Sequence, residues 1–201
     1  MEGLQLGRRS FSSDTLLKDI VQGASSEEAR SPVRFPAWDL VPVLASLRLP
    51  PYEPIGICEL KYLFFKTAFL IALASGRRCS EVHALRYSDL ATEPDGSISV
   101  RFLPEFLAKN QPSGLPAPPI LIKPLAPFLC DDDEDITLCP VRALKTYLKR
   151  SKFLRSPLKR RLFVSFREDV KKDISCATIS RWLKTVIKAA YDKASGSGLP
   201  R

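Results

Sequence analysis

Arg77 and Arg78 lie between Gly76 and the pair Ser80–Glu81 in the stretch GRRCSE. Gly76 is placed to stop one helix and Ser80 to cap the next, so both guanidinium groups fall at a junction between helices. A planar guanidinium held there can grip two nonbridging oxygens of a phosphodiester, whereas a lysine would act only as a point charge. The plainer reading is an exposed arginine beside a helix cap. Glu81 sits in the first turn of the second helix, where negative charge suits the helix dipole.

Other clusters offer less. The five cysteines, Cys58, Cys79, Cys130, Cys139 and Cys176, are scattered without paired C-x-x-C spacing, which argues against a disulfide framework or a zinc site and for a reducing, intracellular setting. The acidic run DDDED at 131–135 lacks a supporting histidine or rigid glycine turn and reads as a solvated loop rather than a metal site.

Charge is distributed unevenly. From Pro140 to Arg201 there are 17 basic and 4 acidic residues, while the rest of the chain is slightly acidic. A basic C-terminal third suits a polyanionic partner, because clustered Lys and Arg neutralise phosphates and release counterions. The alternative is a solvated basic surface.

The length of 201 residues allows one well-packed domain with an extension. Residues 1–31, rich in Gly, Ser, Arg and Glu, read as a flexible lead-in with one short helical stretch at Asp14–Val21, and 32–201 as the domain. PAWDLVPVLASLRL at 36–49 predicts a helix capped by Asp39 and ended by Pro50 and Pro51. Glu59–Ser75, apolar on almost every face and interrupted between Leu60 and Ala74 by Lys61 and Lys66, predicts the central buried helix rather than a membrane span. A short helix capped by Ser80 and running to about Arg86 should follow. Strands are predicted at 97–103 and 119–123, a helix from Pro140 to about Lys149, a strand at 161–166, and an amphipathic helix from a Ser175 cap to about Lys193. Ile179, Trp182, Leu183, Val186, Ile187 and Ala190 share one face of that last helix, and Arg181, Lys184 and Lys188 lie off it. The fold class is therefore α+β, mainly helical, with a small antiparallel sheet.

FLIALASGRRCSEVHALRYSDL at 69–90 resembles the first arginine box of tyrosine recombinases. PAWDL at 36–40, FLAKNQ at 106–111, LCPVRALKTYL at 138–148 and ISCATISRWLKTVI at 174–187 follow the order seen in the recombinases of DIRS-type retrotransposons, so the resemblance spans about residues 36–193. It implies a partial catalytic domain of the integrase-like kind, with Arg78 as the first catalytic arginine and Glu81 bracing its loop. It further implies a lysine on a β-hairpin as general acid, for which Lys109 is the best match and Lys123 the runner-up; such a lysine needs surroundings that lower its pKa. Family chemistry is attack of a tyrosine hydroxyl on a DNA phosphate to give a 3′-phosphotyrosyl link, without metal or other cofactor.

One departure qualifies this reading. The second box, H-x-x-R followed by the nucleophilic tyrosine, belongs after the 175–193 helix, where the sequence reads KASGSGLPR. The literal H-x-x-R at His83–Arg86 is too close to Arg78 to serve and reads as a decoy, and Tyr52, Tyr62, Tyr87, Tyr147 and Tyr191 all precede the expected place. The chain is thus expected to bind duplex DNA through Arg77, Arg78, Lys109, Lys123, Arg181 and Lys184 without cleaving it alone. It is expected to take no small-molecule ligand, enter no membrane and be a monomer or weak dimer without DNA. KRSKFLRSPLKRR at 149–161 suggests a nuclear location. The competing reading is a noncatalytic protein-interaction module derived from a recombinase.

Overall fold

Asp39 starts the first described helix. Its carboxylate accepts the Val41 amide at 2.9 Å, and Pro42 falls in the first turn, where its missing N–H costs nothing, so α1 runs Leu40–Leu47. The computed structural model describes residues 39–107, 117–125, 134–155, 160–166 and 173–196, and all of them belong to one unit beginning at Asp39. The lead-in at 1–31, Lys109 and the first three residues of the acidic run lie outside the described residues.

The helix α2, Leu60–Ser75, buries every residue from Leu63 to Ile71. Such all-round burial is possible because α2 is flanked on several sides, by α4 (Pro140–Arg150) and α5 (Cys176–Gly196) among others. Gly76 ends it at φ +60°, a left-handed conformation that glycine adopts without steric cost. Pro140 opens α4 at the first helical position, with the Cys139 sulfur accepting the Arg142 amide at 3.5 Å. Ser175 caps α5 by accepting the Thr178 amide at 3.2 Å. The expected inward face follows: Ile179, Trp182, Val186 and Ala190 are buried.

Where α2, α4 and α5 meet, rings interlock. Phe64 lies edge-on to Tyr147 with centroids 4.7 Å apart and to Trp182 at 5.9 Å, and Phe163 and Phe166 close the group. Each such pair adds about 0.5–1.5 kcal/mol beyond simple burial. The Tyr147 hydroxyl, fully enclosed, donates to the Leu162 carbonyl at 2.9 Å and accepts the Val164 amide at 3.2 Å. A polar knot sits beside this core. Lys66, 0% exposed, donates to the Leu47 carbonyl at 2.8 Å and to Glu53 at 2.5 Å, while Arg142 reaches both Glu53 oxygens at 2.8 and 3.2 Å. It ties the loop between α1 and α2 to both α2 and α4.

The sheet is antiparallel in the order β1 (Leu85–Thr92), β2 (Ile98–Phe102), β3 (Ile120–Ile122). Val100 stands opposite Leu90 on one side and Ile120 on the other, so Ile98, Val100, Phe102, Ile120 and Ile122 face the core. Gly96, at φ +82°, turns β1 into β2.

Three expectations change. The helix after Gly76, α3, is Cys79–His83, with its cap at Arg78, two residues before the expected Ser80, and its end three residues before the expected Arg86. Glu81 moves the start: its carboxylate accepts the Arg78 amide at 2.9 Å, the reach-back half of a capping box. The strand β1 was not anticipated, because only Leu85 is buried along it and no alternation marks it; pairing with β2 holds it extended. Finally, 161–166 is not a full strand. It meets β1 through a bridge between Arg86 and Arg161, after which Leu162, Phe163 and Val164 sink into the core.

Candidate nucleic-acid interface

Both oxygens of Glu81 are occupied at the α2–α3 junction. One takes the Arg78 amide, and the other pairs with the Arg77 guanidinium at 3.1 Å while the Glu81 side chain is buried. The extended backbone of Arg78 is thereby fixed, and its side chain is exposed. Among the described residues no hydrogen bond or ion pair engages the Arg78 guanidinium. Arg77 is different, being half-buried and already held by Glu81.

The helix α5 passes α3 and brings further cations to this junction. Lys184 is exposed on α5, the helix that packs on α3, and its charge is the smallest of the influences on the Cys79 thiol. Arg181 and Lys188 are exposed on the same helix. Lys123, at the end of β3, borders an open, mainly apolar groove of about 490 Å³ with Leu70, Leu73 and Ala74 of α2 and Leu121. Its ammonium also helps to hold the Asp95 carboxyl below its ordinary range, behind the larger effect of hydrogen bonds from Ser97. The predicted pairing of Arg78 with Lys109 on one face involves a residue outside the described ones.

His83 and Arg86 are occupied elsewhere. One ring nitrogen of His83 donates to the Ile174 carbonyl at 2.7 Å, and the other faces Arg161 Nη1 at 3.4 Å. Burial, seconded by the Arg161 charge, pushes His83 below its ordinary pKa despite the Ile174 bond, so the ring is neutral at pH 7. Arg86 is spent on Ser88 and Asp89 at 2.9 and 2.7 Å.

Four of the five tyrosine side chains have a structural task evident from their contacts. Tyr147 is locked in the core as above. Tyr52 is buried, its hydroxyl pushed up to about 12 by burial and then by Tyr62. Tyr62 lies edge-on to Tyr52 at 5.7 Å. The Tyr191 hydroxyl joins the Asp39 backbone, accepting its amide at 2.5 Å and donating to its carbonyl at 3.2 Å, which fastens the end of α5 to the start of α1. Tyr87 is the most exposed and lies under the Arg155 guanidinium, 4.0 Å from its centre.

Two features escaped sequence reasoning. Arg161 donates to the His83 carbonyl at 2.9 Å and pairs with Asp173 at 3.8 Å, holding the end of α3; nothing in the linker's charge run singles it out. The Glu53–Lys66–Arg142 knot was hinted at only by a lysine inside an apolar helix. Among the described residues there is no cluster of three or more potential metal ligands, and no helix is long and apolar enough to cross a membrane. No protein-family model matches the chain, and neither a curated protein nor a solved structure matches it.

Proposed function

We propose that this chain binds duplex DNA as a tyrosine-recombinase-like catalytic-domain segment of the DIRS-type kind, with Arg78 gripping a backbone phosphate and Arg181 and Lys184 of α5 adding phosphate contacts. The observation that carries the reading is the exposed, unengaged Arg78 guanidinium on a backbone fixed by Glu81, next to a cation-bearing helix. An arginine that served only the fold would be expected to have a partner, as Arg77, Arg142 and Arg161 do. Lys109 and Lys123 are the candidates for the proton donor to a leaving 5′-hydroxyl. Tyr52, Tyr62, Tyr147 and Tyr191 are tied into packing or hydrogen bonds and Tyr87 lies under Arg155, so in this reading none of these five hydroxyls serves as the nucleophile and this stretch of 201 residues binds DNA without cutting it. In this reading it acts in the nucleus and needs no cofactor.

Phosphate contacts make log affinity fall linearly with log salt, which gives the test: duplex binding measured by fluorescence anisotropy over a salt series. A steep loss of affinity supports the proposal, and salt-independent binding contradicts it. The groove bordered by Leu73, Ala74, Leu121 and Lys123 favours a second reading, a protein-interaction module of recombinase origin. Binding of a protein partner together with failure to bind duplex DNA at low salt would select it.

A further inference from the structure

His83, the last residue of α3, is held between two segments remote from it in sequence. Its Nε2 lies 2.7 Å from the Ile174 carbonyl, just ahead of α5, and its Nδ1 lies 3.4 Å from Arg161 Nη1. A carbonyl can only accept, so Nε2 carries the proton and Nδ1 offers its lone pair to the guanidinium. Arg161 Nη1 also donates to the His83 carbonyl at 2.9 Å. Around Arg161 the chain lies along the start of β1. Arg86 and Arg161 form an antiparallel bridge, the Tyr87 amide donates to the Arg160 carbonyl at 2.9 Å, and the Leu162 amide donates to the Leu85 carbonyl at 2.7 Å.

The charges that face the ring are few. Arg161 comes from the segment beside β1, and Asp173, ahead of α5, lies 3.8 Å from Arg161 Nε. On β1, Arg86 is paired with Asp89, and on α3 Glu81 spends both oxygens at the opposite end of the helix. The part of α2 from Thr67 to Ser75 carries no ionisable group. Lys184 and Cys176 of α5 act on Cys79, at the start of α3, and do not figure among the influences on His83.

We propose that this cluster is a proton-operated latch: protonation of His83 releases Arg161 and parts residues 160–162 from the start of β1 while the rest of the domain stays folded. Protonated Nδ1 aims an N–H at a guanidinium N–H, so two donors and two cations meet in a half-buried site where water screens them poorly. The Ile174 contact survives, because Nε2 donates in both forms. Arg161 is the partner that must leave, and Asp173 offers its guanidinium a carboxylate to move to. The sign follows from the closed state. Burial and then the Arg161 charge hold His83 below its ordinary value of about 6.5, so the opened form binds the proton more tightly and acid favours opening. The latch is independent of any DNA reading.

The test is amide hydrogen exchange of the full chain, followed by NMR from pH 7.5 to pH 5 and corrected for intrinsic exchange rates. The Tyr87 and Leu162 amides should lose protection on acidification, by up to about tenfold per pH unit between the ordinary and the folded His83 values. Amides of Leu63–Ile71 in α2 should keep theirs. In His83→Gln, whose side chain can donate to Ile174 and accept from Arg161 without titrating, protection of Tyr87 and Leu162 should not vary with pH. His83→Lys, charged throughout this range, should expose both amides already at neutral pH. The wild-type series decides the matter even where a variant folds poorly. Protection of Tyr87 and Leu162 that is unchanged from pH 7.5 to pH 5, that falls equally in His83→Gln, or that falls in step with the α2 amides would overturn the inference.

Discussion

Glu81 holds Arg78 by its backbone and leaves its side chain alone: the carboxylate accepts the Arg78 amide at 2.9 Å and spends its other oxygen on Arg77. The two adjacent arginines thus have different tasks, although their residue type is the same. Replacing Arg77 by Ala should free Glu81 inside a buried pocket and lower fold stability, measured by urea unfolding, more than Arg78→Ala does. Equal or opposite effects would mean that the pairing with Glu81 does not brace the junction.

The Glu53–Lys66–Arg142 knot should behave as a buried ion cluster. Glu53→Ala leaves the enclosed Lys66 ammonium without its carboxylate and should cost about 3–5 kcal/mol in urea unfolding, whereas Lys66→Met with Glu53→Gln should cost less than Glu53→Ala alone. Burial raises the Glu53 carboxyl, but hydrogen bonds from Arg142 and Lys66 outweigh it and hold the group below its ordinary value. A depressed folded pKa means that the unfolded chain binds more protons in the acid range. The knot's contribution is therefore complete above about pH 4.3 and is lost as pH falls through the folded value. An acid unfolding curve unaltered in Glu53→Gln would contradict this.

His83 adds a second pH dependence with the same direction at higher pH. Its folded pKa lies below the ordinary value of about 6.5, so protonation on acidification favours the unfolded chain, and stability should decline as pH drops below that value. Thermal unfolding between neutral and mildly acidic pH should show the decline in the wild type and a flatter profile in His83→Gln. A profile that does not depend on His83 would place the titration elsewhere.

On a nicked suicide duplex the 201-residue chain should give no covalent protein–DNA adduct, because Tyr52, Tyr62, Tyr147 and Tyr191 are each engaged in packing or hydrogen bonds and Tyr87 lies under Arg155. Denaturing gel analysis with labelled DNA reads this directly. A phosphotyrosyl link at any of the five would show that one of these side chains leaves its place.

Much of the helical frame was legible in the sequence because local chemistry writes it. Asp39, Gly76, Pro140 and Ser175 each supply a start or stop signal that acts within a turn or so of itself, and the apolar faces of α2 and α5 have helical spacing. Features that depend on distant partners were not legible. The strand β1 exists through its pairing with β2, the 161–166 segment is cut short as a strand because the core takes its side chains, and Glu81 shifts the start of α3 by reaching backward. For the candidate site, the junction carrying Arg78 follows from Gly76 and the residues after it. That α5, the helix carrying Lys184, packs on α3 is a tertiary fact that spacing along α5 alone does not state.

The central claim is that an exposed Arg78 guanidinium meets a DNA phosphate. It is tested most directly by duplex binding of wild-type chain and Arg78→Ala across a salt series, with circular dichroism confirming that both are folded. Wild-type chain should bind with salt dependence, and the variant should lose about 1.5–3 kcal/mol, the worth of one charge-assisted contact, with a shallower salt slope and unchanged fold stability. Arg78→Ala chain that binds duplex as tightly as wild type at every salt concentration would contradict it.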